Sequence, residues 1–334
     1  MKASAEVVSC AMRRTDAVHL GLMLSALGLT YVVPIELLLL AYVILGPAHY
    51  TTEISWLHDR NYFLPHRGLA LALAAVAIFA ALIDSASWFG FVMWSAFVAC
   101  ALFSVITSGA QGVLLVIAAT GLTAVMYTRA PSLAVLGILL PTLIHVSLFT
   151  LVFMTLGAYR SRSAAQAALI AVYVMAVGLI LIVPPSASTV VPKFAEVGRE
   201  YFGNVAPALG RLFGTPHLTL DGRLTGLLAF VYTYHYLNWF IKADVIRWTD
   251  MPPARLALVG AISAASTGLY FYDYAFGFSI LLALSLIHVV LEFPLNALAM
   301  RQLGDAIRKG VLQNTRERAA LARRRLPPAR RKRP

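Results

Sequence analysis

Apolar runs of about 20 residues recur along almost the whole chain, and they limit its fold more than any other feature. A helix of about 20 apolar residues spans the hydrocarbon core of a bilayer. Of the 334 residues, 60% are hydrophobic and only 13% are charged. This composition leaves too few polar side chains to cover a water-soluble globule of that size. The chain is therefore predicted to be an integral membrane protein.

The runs predict an all-α fold, a polytopic transmembrane helical bundle of about nine spans, with a range of eight to ten. The predicted spans are residues 17–45, 68–86, 88–109, 112–128, 132–157, 164–183, 224–246, 254–271 and 276–299. The second and third runs form either a tight hairpin or one broken helix. Within the polar stretch 184–223, apolar residues at helical spacing predict an interfacial amphipathic helix; they are Phe194, Val197, Tyr201 and Val205.

The charge divides the chain into a transmembrane domain, residues 1–299, and a basic tail, residues 300–334. The tail carries most of the net charge of +12, in a dense set of Lys and Arg that includes Arg323, Arg324, Arg325, Arg330 and Arg331. A basic segment directly after a span marks the cytoplasmic side and binds anionic lipid headgroups. Nucleic-acid binding is the weaker interpretation. We expect a bacterial inner (plasma) membrane protein with a cytoplasmic tail, an external N-terminus and Arg60 and Arg67 in the cytoplasm.

Ionisable side chains inside the apolar runs are the main indication of function. A charge at a helix centre costs about 2.5 to 3.5 kcal/mol on insertion scales, so it must face protein or water. The residues of interest are Glu36, Asp84, His145, His235, His288 and Glu292, of which Asp84 falls near the opposite face of the membrane in the proposed topology. For Lys242 and Asp244 a snorkelling pair at a helix end is the favoured interpretation.

Two pairs of histidine and glutamate share one spacing. His49 and Glu53, in a predicted loop after the first span, are four residues apart, and so are His288 and Glu292 in the last span. On a helix, side chains at this spacing point the same way. Together the pairs could supply four ligands to iron, manganese or zinc.

The seventh predicted span places His235 among aromatic residues and near Asn238. This arrangement predicts a ligand pocket in which Asn238 and Tyr234 position a substrate or oxygen. In the proposed topology His49, His145, His235 and His288 all fall between mid-membrane and the cytoplasmic surface, so they could converge. Taken alone, His145 is expected to play a structural role as a hydrogen-bonding residue between helices.

The segment Gly46-Pro47-Ala48-His49-Tyr50-Thr51-Thr52-Glu53 resembles the Gly-x-x-His-Gly-x-x-Asp motif of the Brp/Blh membrane family, whose members cleave β-carotene with iron held by intramembrane histidines. The resemblance covers about eight residues. Tyr50 replaces the family's glycine, Glu53 its aspartate, and Ile54 a histidine that commonly follows. The resemblance implies that His49 is an iron ligand and Glu53 a neighbouring carboxylate.

We therefore expect a metal-dependent oxidoreductase that acts on a lipid or isoprenoid substrate. His49, Glu53, His235, His288 and Glu292 are the predicted metal ligands, and iron is the predicted metal. Two alternatives remain. One is a proton-coupled transporter in which Glu36, His145, His235 and Glu292 titrate in turn, and the other is a noncatalytic membrane protein with structural histidines.

Overall fold

The structure, a computed structural model, describes residues 2–83, 85–103, 109–129, 137, 139–186, 190, 191, 196 and 222–325. Within these ranges every regular element is helical and no strand occurs. In chain order the α-helices are α1 (Lys2–Val32), α2 (Pro34–Leu40), α3 (Gly46–Asp59), α4 (Arg67–Ala81), α5 (Ala86–Phe103), α6 (Gly109–Arg129), α7 (Thr150–Ser161), α8 (Ala164–Ile182), α9 (Gly222–Ile241), α10 (Ala243–Ile246), α11 (Pro253–Tyr272) and α12 (Tyr274–Arg325). Two π-helical segments, Ala41–Leu45 and Leu140–Phe149, precede α3 and α7.

Six stretches of the described chain are long and apolar enough to cross a membrane. They are Thr15–Val32, Pro34–Asp59, Leu140–Ser161, Ala164–Ile182, Pro253–Tyr272 and Tyr274–Gly310. Two shorter apolar helices, Arg67–Ala81 and Trp88–Phe103, accompany them. An all-helical fold that fits a membrane protein is thus confirmed, whereas the total of about nine spans stays a prediction.

The first predicted span, residues 17–45, is wrong as a single crossing. Helix α1 ends at Val32, and a new helix begins at Pro34 after Val33, whose φ of −142° and ψ of 61° break the helical path. The residue before a proline is disfavoured in the helical conformation, which explains why the break falls there. His19 lies beside Tyr234 of α9. Tyr31, later in α1, donates to the Val183 carbonyl, near the start of α9, where Arg223 donates to the Leu181 carbonyl. Helix α1 therefore runs antiparallel to α9, and the chain reverses after it.

The segment after this break runs alongside α9 in the same direction. Tyr42 contacts Tyr232, and Thr52, further along, accepts a hydrogen bond from Trp239 at 3.0 Å. The predicted loop that contains His49 and Glu53 is consequently wrong, because both residues lie within α3. Pro47 is tolerated inside the continuous helical stretch Pro34–Asp59 because the π-helical turn Ala41–Leu45 precedes it and the Val43 carbonyl accepts a hydrogen bond from the Thr267 hydroxyl at 2.9 Å.

Helices α4 and α5 are separate and pack against each other. Ala77 and Ala80 of α4 share one core with Met93 and Ala96 of α5, and residues of α12 complete that core. This arrangement matches the hairpin among the two alternatives for residues 68–109.

Helix α9 lies in the interior of the fold. Most of its side chains are buried, and it packs against α1, α2, α3, α8 and the segment Leu140–Phe149. Helix α12 packs on α3, α4, α5, α7 and α11. Since α3 and the segment Leu140–Phe149 touch both long helices, four elements meet at one place in the core.

Helix α12 continues without interruption past residue 299 to Arg325, so the predicted tail begins inside a helix. Pro294 lies within it. The predicted interfacial helix, with Phe194, Val197, Tyr201 and Val205, lies outside the described residues, and so do Asp84 and the end of the tail beyond Arg325.

Candidate metal centre

Helix α3 contributes the first histidine and glutamate pair. His49 Nε2 lies 3.3 Å from Glu53 Oε2, one helical turn further on. Only 1% of His49 and 3% of Glu53 is exposed. The hydroxyl of Thr52, between them, donates to the carbonyl of Ala48 at 2.6 Å, a common arrangement for a threonine inside a helix. The pair therefore sits in the protein interior on a regular helix.

Helix α12 contributes the second pair and connects it to the first. His288 Nε2 lies 3.6 Å from Glu292 Oε2 on its own helix and 3.1 Å from Glu53 Oε2 on α3. Both residues are buried, with 1% and 3% exposed. Two pairs separated by more than 200 residues of sequence thus share one contact network.

The π-helical segment Leu140–Phe149 adds His145. Its Nε2 lies 3.4 Å from Glu292 Oε2, and the side chain is buried. Pro141 stands near the start of this segment, and Thr142 has a non-helical φ of −112° and ψ of −105°. Proline removes a helical hydrogen bond, and π-turns occur frequently at functional sites. The structural role expected for His145 taken alone stays a prediction, but the structure places it in contact with Glu292 of the cluster.

Helix α9 adds His235, whose ring lies between those of His49 and His145. The ring centroids are 4.8 Å from His49 and 5.0 Å from His145. Its Nδ1 is 2.8 Å from the hydroxyl oxygen of Thr150, and its Nε2 is buried without a hydrogen-bond partner. A metal-ligating histidine usually has its second nitrogen held in this way.

The four imidazoles form a closed arrangement in which each one neighbours two others. His288 completes it, with centroids 4.7 Å from His49 and 5.2 Å from His145. The structure thus brings together all five predicted ligands, namely His49, Glu53, His235, His288 and Glu292, with His145 added. Their role as ligands stays a prediction.

A hydrogen-bonded tyrosine pair lies against these four imidazoles. Tyr50 and Tyr236 join through their hydroxyls at 2.6 Å. The ring of Tyr50 stacks on His288 with centroids 4.9 Å apart, and the ring of Tyr236 lies 5.2 Å from His49. Sequence reasoning did not select either residue, because tyrosine is common throughout this aromatic stretch.

The two residues predicted to position a substrate, Asn238 and Tyr234, have different surroundings. Asn238 is partly buried one turn after His235, and its Oδ1 has no hydrogen-bond partner. Tyr234 lies 3.4 Å from His19 Nδ1 and packs on Tyr173 and Phe230. Adjacent residues of a helix point about 100° apart, so the structure does not bring Tyr234 to the four histidines.

Other polar residues from the sequence lie away from this centre. Glu36 accepts backbone N–H bonds from Val190 at 2.6 Å and Val191 at 3.0 Å. His58 and His66 are exposed, and so is Asp244. The transporter path predicted from Glu36, His145, His235 and Glu292 stays a prediction.

The six side chains can act together as metal ligands. Ligand atoms of five of them fall into two groups within 4.8 Å, one of His49, Glu53 and His288 and the other of His145, His288 and Glu292, whereas His235 belongs to neither group. Several of these buried atoms lack a hydrogen-bond partner, namely both nitrogens of His49 and His145, Nδ1 of His288 and Oε2 of Glu292. An unsatisfied buried polar atom costs about 1 to 3 kcal/mol. Nitrogen and oxygen donors in this number suit a divalent transition metal.

No protein-family model, no curated protein and no solved structure matches this chain.

Proposed function

We propose that this protein is an integral membrane oxidoreductase that uses iron, held by buried histidine and glutamate side chains, to act on a lipid or isoprenoid substrate. The observation that carries the proposal is the convergence of four imidazoles and two carboxylates from four separate helical elements. Isolated structural histidines would each be satisfied by a local partner. Here Nε2 of His49, His145 and His288 lies 3.1 to 3.6 Å from a glutamate carboxylate of the cluster.

Charge balance supports a cation at this place. Among the described residues, no Lys or Arg forms an ion pair with Glu53 or Glu292. Buried charges are normally paired or coordinate a metal, because an isolated charge in a low-dielectric interior is very costly. A divalent cation would compensate both carboxylates.

The type of donor supports iron. Imidazole and carboxylate together suit iron, manganese and zinc, and two histidines with one carboxylate and open positions are typical of non-haem iron oxygenases. The resemblance of residues 46–53 to the Brp/Blh motif favours iron within this set. When bound, the iron would supply oxygen activation or electron transfer, while the protein supplies position and a water-poor environment.

The surroundings support a substrate from the bilayer. His235 and Asn238 are only partly buried, whereas His49, His145 and His288 are each 1% exposed. Access is therefore greatest on this face of α9. The free Oδ1 of Asn238 can accept a hydrogen bond and orient a substrate polar group beside the metal. The aromatic side chains around the cluster suit an apolar substrate body.

Elemental analysis of the detergent-purified protein tests the proposal. We expect bound iron in the wild type and a lower iron content in His49→Ala and in His288→Ala, because each removes a ligand. His58→Ala is the matched control, since His58 lies on the same helix as His49 but is exposed; it should keep the metal. A folded, metal-free wild type after iron loading would contradict the proposal.

Proton-coupled transport is a second candidate that one observation favours. Contacts of 3.3, 3.1, 3.6 and 3.4 Å connect His49, Glu53, His288, Glu292 and His145 in a continuous series. Such a series can relay protons without a metal. Metal-free protein that drives pH-dependent uptake in proteoliposomes would favour this function.

A further inference from the structure

We propose that the centre holds two metal ions instead of one, an inference that rests on the proposed metal-binding function. The starting observation is the division of the ligand atoms into two groups of three, which share only His288. The number and spacing of the ligands carry the inference.

Coordination geometry limits how far apart the ligands of one ion can be. With bonds of about 2.1 Å, as for nitrogen and oxygen ligands, two atoms on opposite sides of an ion are at most roughly 4.2 Å apart. Ligands gathered around one ion would therefore form a single group within 4.8 Å. The described ligand atoms instead form two such groups.

The number of ligands leads to the same result. The centre offers four imidazoles and two carboxylates. One six-coordinate ion bound by all of them would keep no open position for a substrate or oxygen. Two ions could each take three ligands and keep positions open, as catalytic metal sites require.

The distances assign the ligands. His288 Nε2 can bind only one ion through its single lone pair, and it lies nearer to Glu53, at 3.1 Å, than to Glu292, at 3.6 Å. The first ion therefore takes His49, Glu53 and His288. The second takes His145 and Glu292, which are 3.4 Å apart.

We assign His235 as the third ligand of the second ion; it lies in neither group within 4.8 Å, so its ring must move towards His145 and Glu292 when the metal binds. Its ring is 5.0 Å from that of His145, and its Nε2 is buried and has no hydrogen-bond partner. Thr150 holds the opposite nitrogen, which orients the ring. Each ion then has two imidazoles and one carboxylate. Paired catalytic metal ions lie about 3.5 to 4 Å apart.

The experiment is a metal count per chain on full-length protein purified after anaerobic loading with ferrous iron. We expect two iron ions in the wild type and one in each of Glu53→Gln and Glu292→Gln, because each substitution removes the carboxylate of one ion. Glu36→Gln is the matched control. It changes a buried glutamate that binds Val190 and Val191 instead of the cluster, and it should retain two ions.

The failures of the two proposals are distinguishable. One ion per wild-type chain, lost completely in both Glu→Gln variants, would overturn the two-ion inference and leave the proposed function standing. No iron in the folded wild type would overturn both. X-ray absorption on the wild type gives a check that needs no variant. Iron–iron scattering at about 3.5 to 4 Å is the expected result, and its absence in fully loaded protein contradicts the inference.

Discussion

At the scale of single residues, the centre depends on side chains that orient the histidines. The hydroxyl of Thr150 is 2.8 Å from His235 Nδ1. Since Nδ1 is held there, the opposite ring nitrogen, Nε2, points away from Thr150. The stacking of Tyr50 on His288, and its bond to Tyr236, fix a second ring. Spacing alone identified His49 with Glu53 and His288 with Glu292. It could not identify Thr150 or Tyr50, because their partners come from other helices.

The Thr150→Val variant tests this orienting role. Valine keeps the volume but removes the hydroxyl, so His235 loses the hydrogen bond that sets its tautomer and angle. We expect metal affinity to fall by roughly 10- to 100-fold, as for other partners of metal ligands. Competition with a chelator measures it. Thr155→Val is the control, because the Thr155 hydroxyl donates to the Leu151 carbonyl of its own helix, at 2.7 Å. Equal affinity in both variants would exclude the role.

At the scale of elements, the two breaks in regular helix decide where the ligands lie. The break at Val33 turns one long apolar run into two helices and places His49 beside His235. The sequence signal was present, since Pro34 follows Val33 directly. However, a proline is also compatible with a continuous, kinked membrane helix. Whether the chain reverses or continues as a kinked helix depends on packing against α9, which is far away in the sequence.

The π-helical segment is the second break, and Pro141→Ala tests it. Alanine restores a backbone donor and permits a regular α-helix from Leu140. Each residue of register shift in a helix rotates the side chains that follow by about 100°, so His145 would turn away from Glu292. We expect metal loss comparable to that of His145→Ala, measured by metal content. Pro253→Ala, at the first position of α11, should retain the metal. Full metal content in Pro141→Ala would contradict this account.

At the scale of the whole molecule, the distribution of polarity suits a membrane. Large apolar side chains face outward, among them Leu71, Phe79, Leu114 and Met175 with 59% to 76% of their surface exposed. Buried positions include histidines and glutamates. Composition was sufficient to predict the helical membrane class. It could not predict the reversal at Val33, and the orientation inferred by counting spans stays a prediction.

The reversal gives a prediction about topology. If α1 and the helix that follows cross the membrane in opposite directions, the start of α1 and the end of α3 lie on the same side. A membrane-impermeant maleimide should label Cys10 and a single cysteine introduced by His58→Cys from that same side of sealed vesicles. Cys100→Ala removes the buried cysteine from both proteins, and Cys10→Ala is added to the second. Labelling from opposite sides would instead support one crossing between them.

The proposed function requires a metal bound by the imidazoles and carboxylates in the core. X-ray absorption at the iron edge of the purified, iron-loaded protein tests this directly. We predict nitrogen and oxygen neighbours at about 2.1 Å, with the outer-shell scattering that several imidazole rings produce. This imidazole scattering should be reduced in His288→Ala. Iron that shows only solvent oxygen neighbours, with the same spectrum in wild type and His288→Ala, would contradict the account.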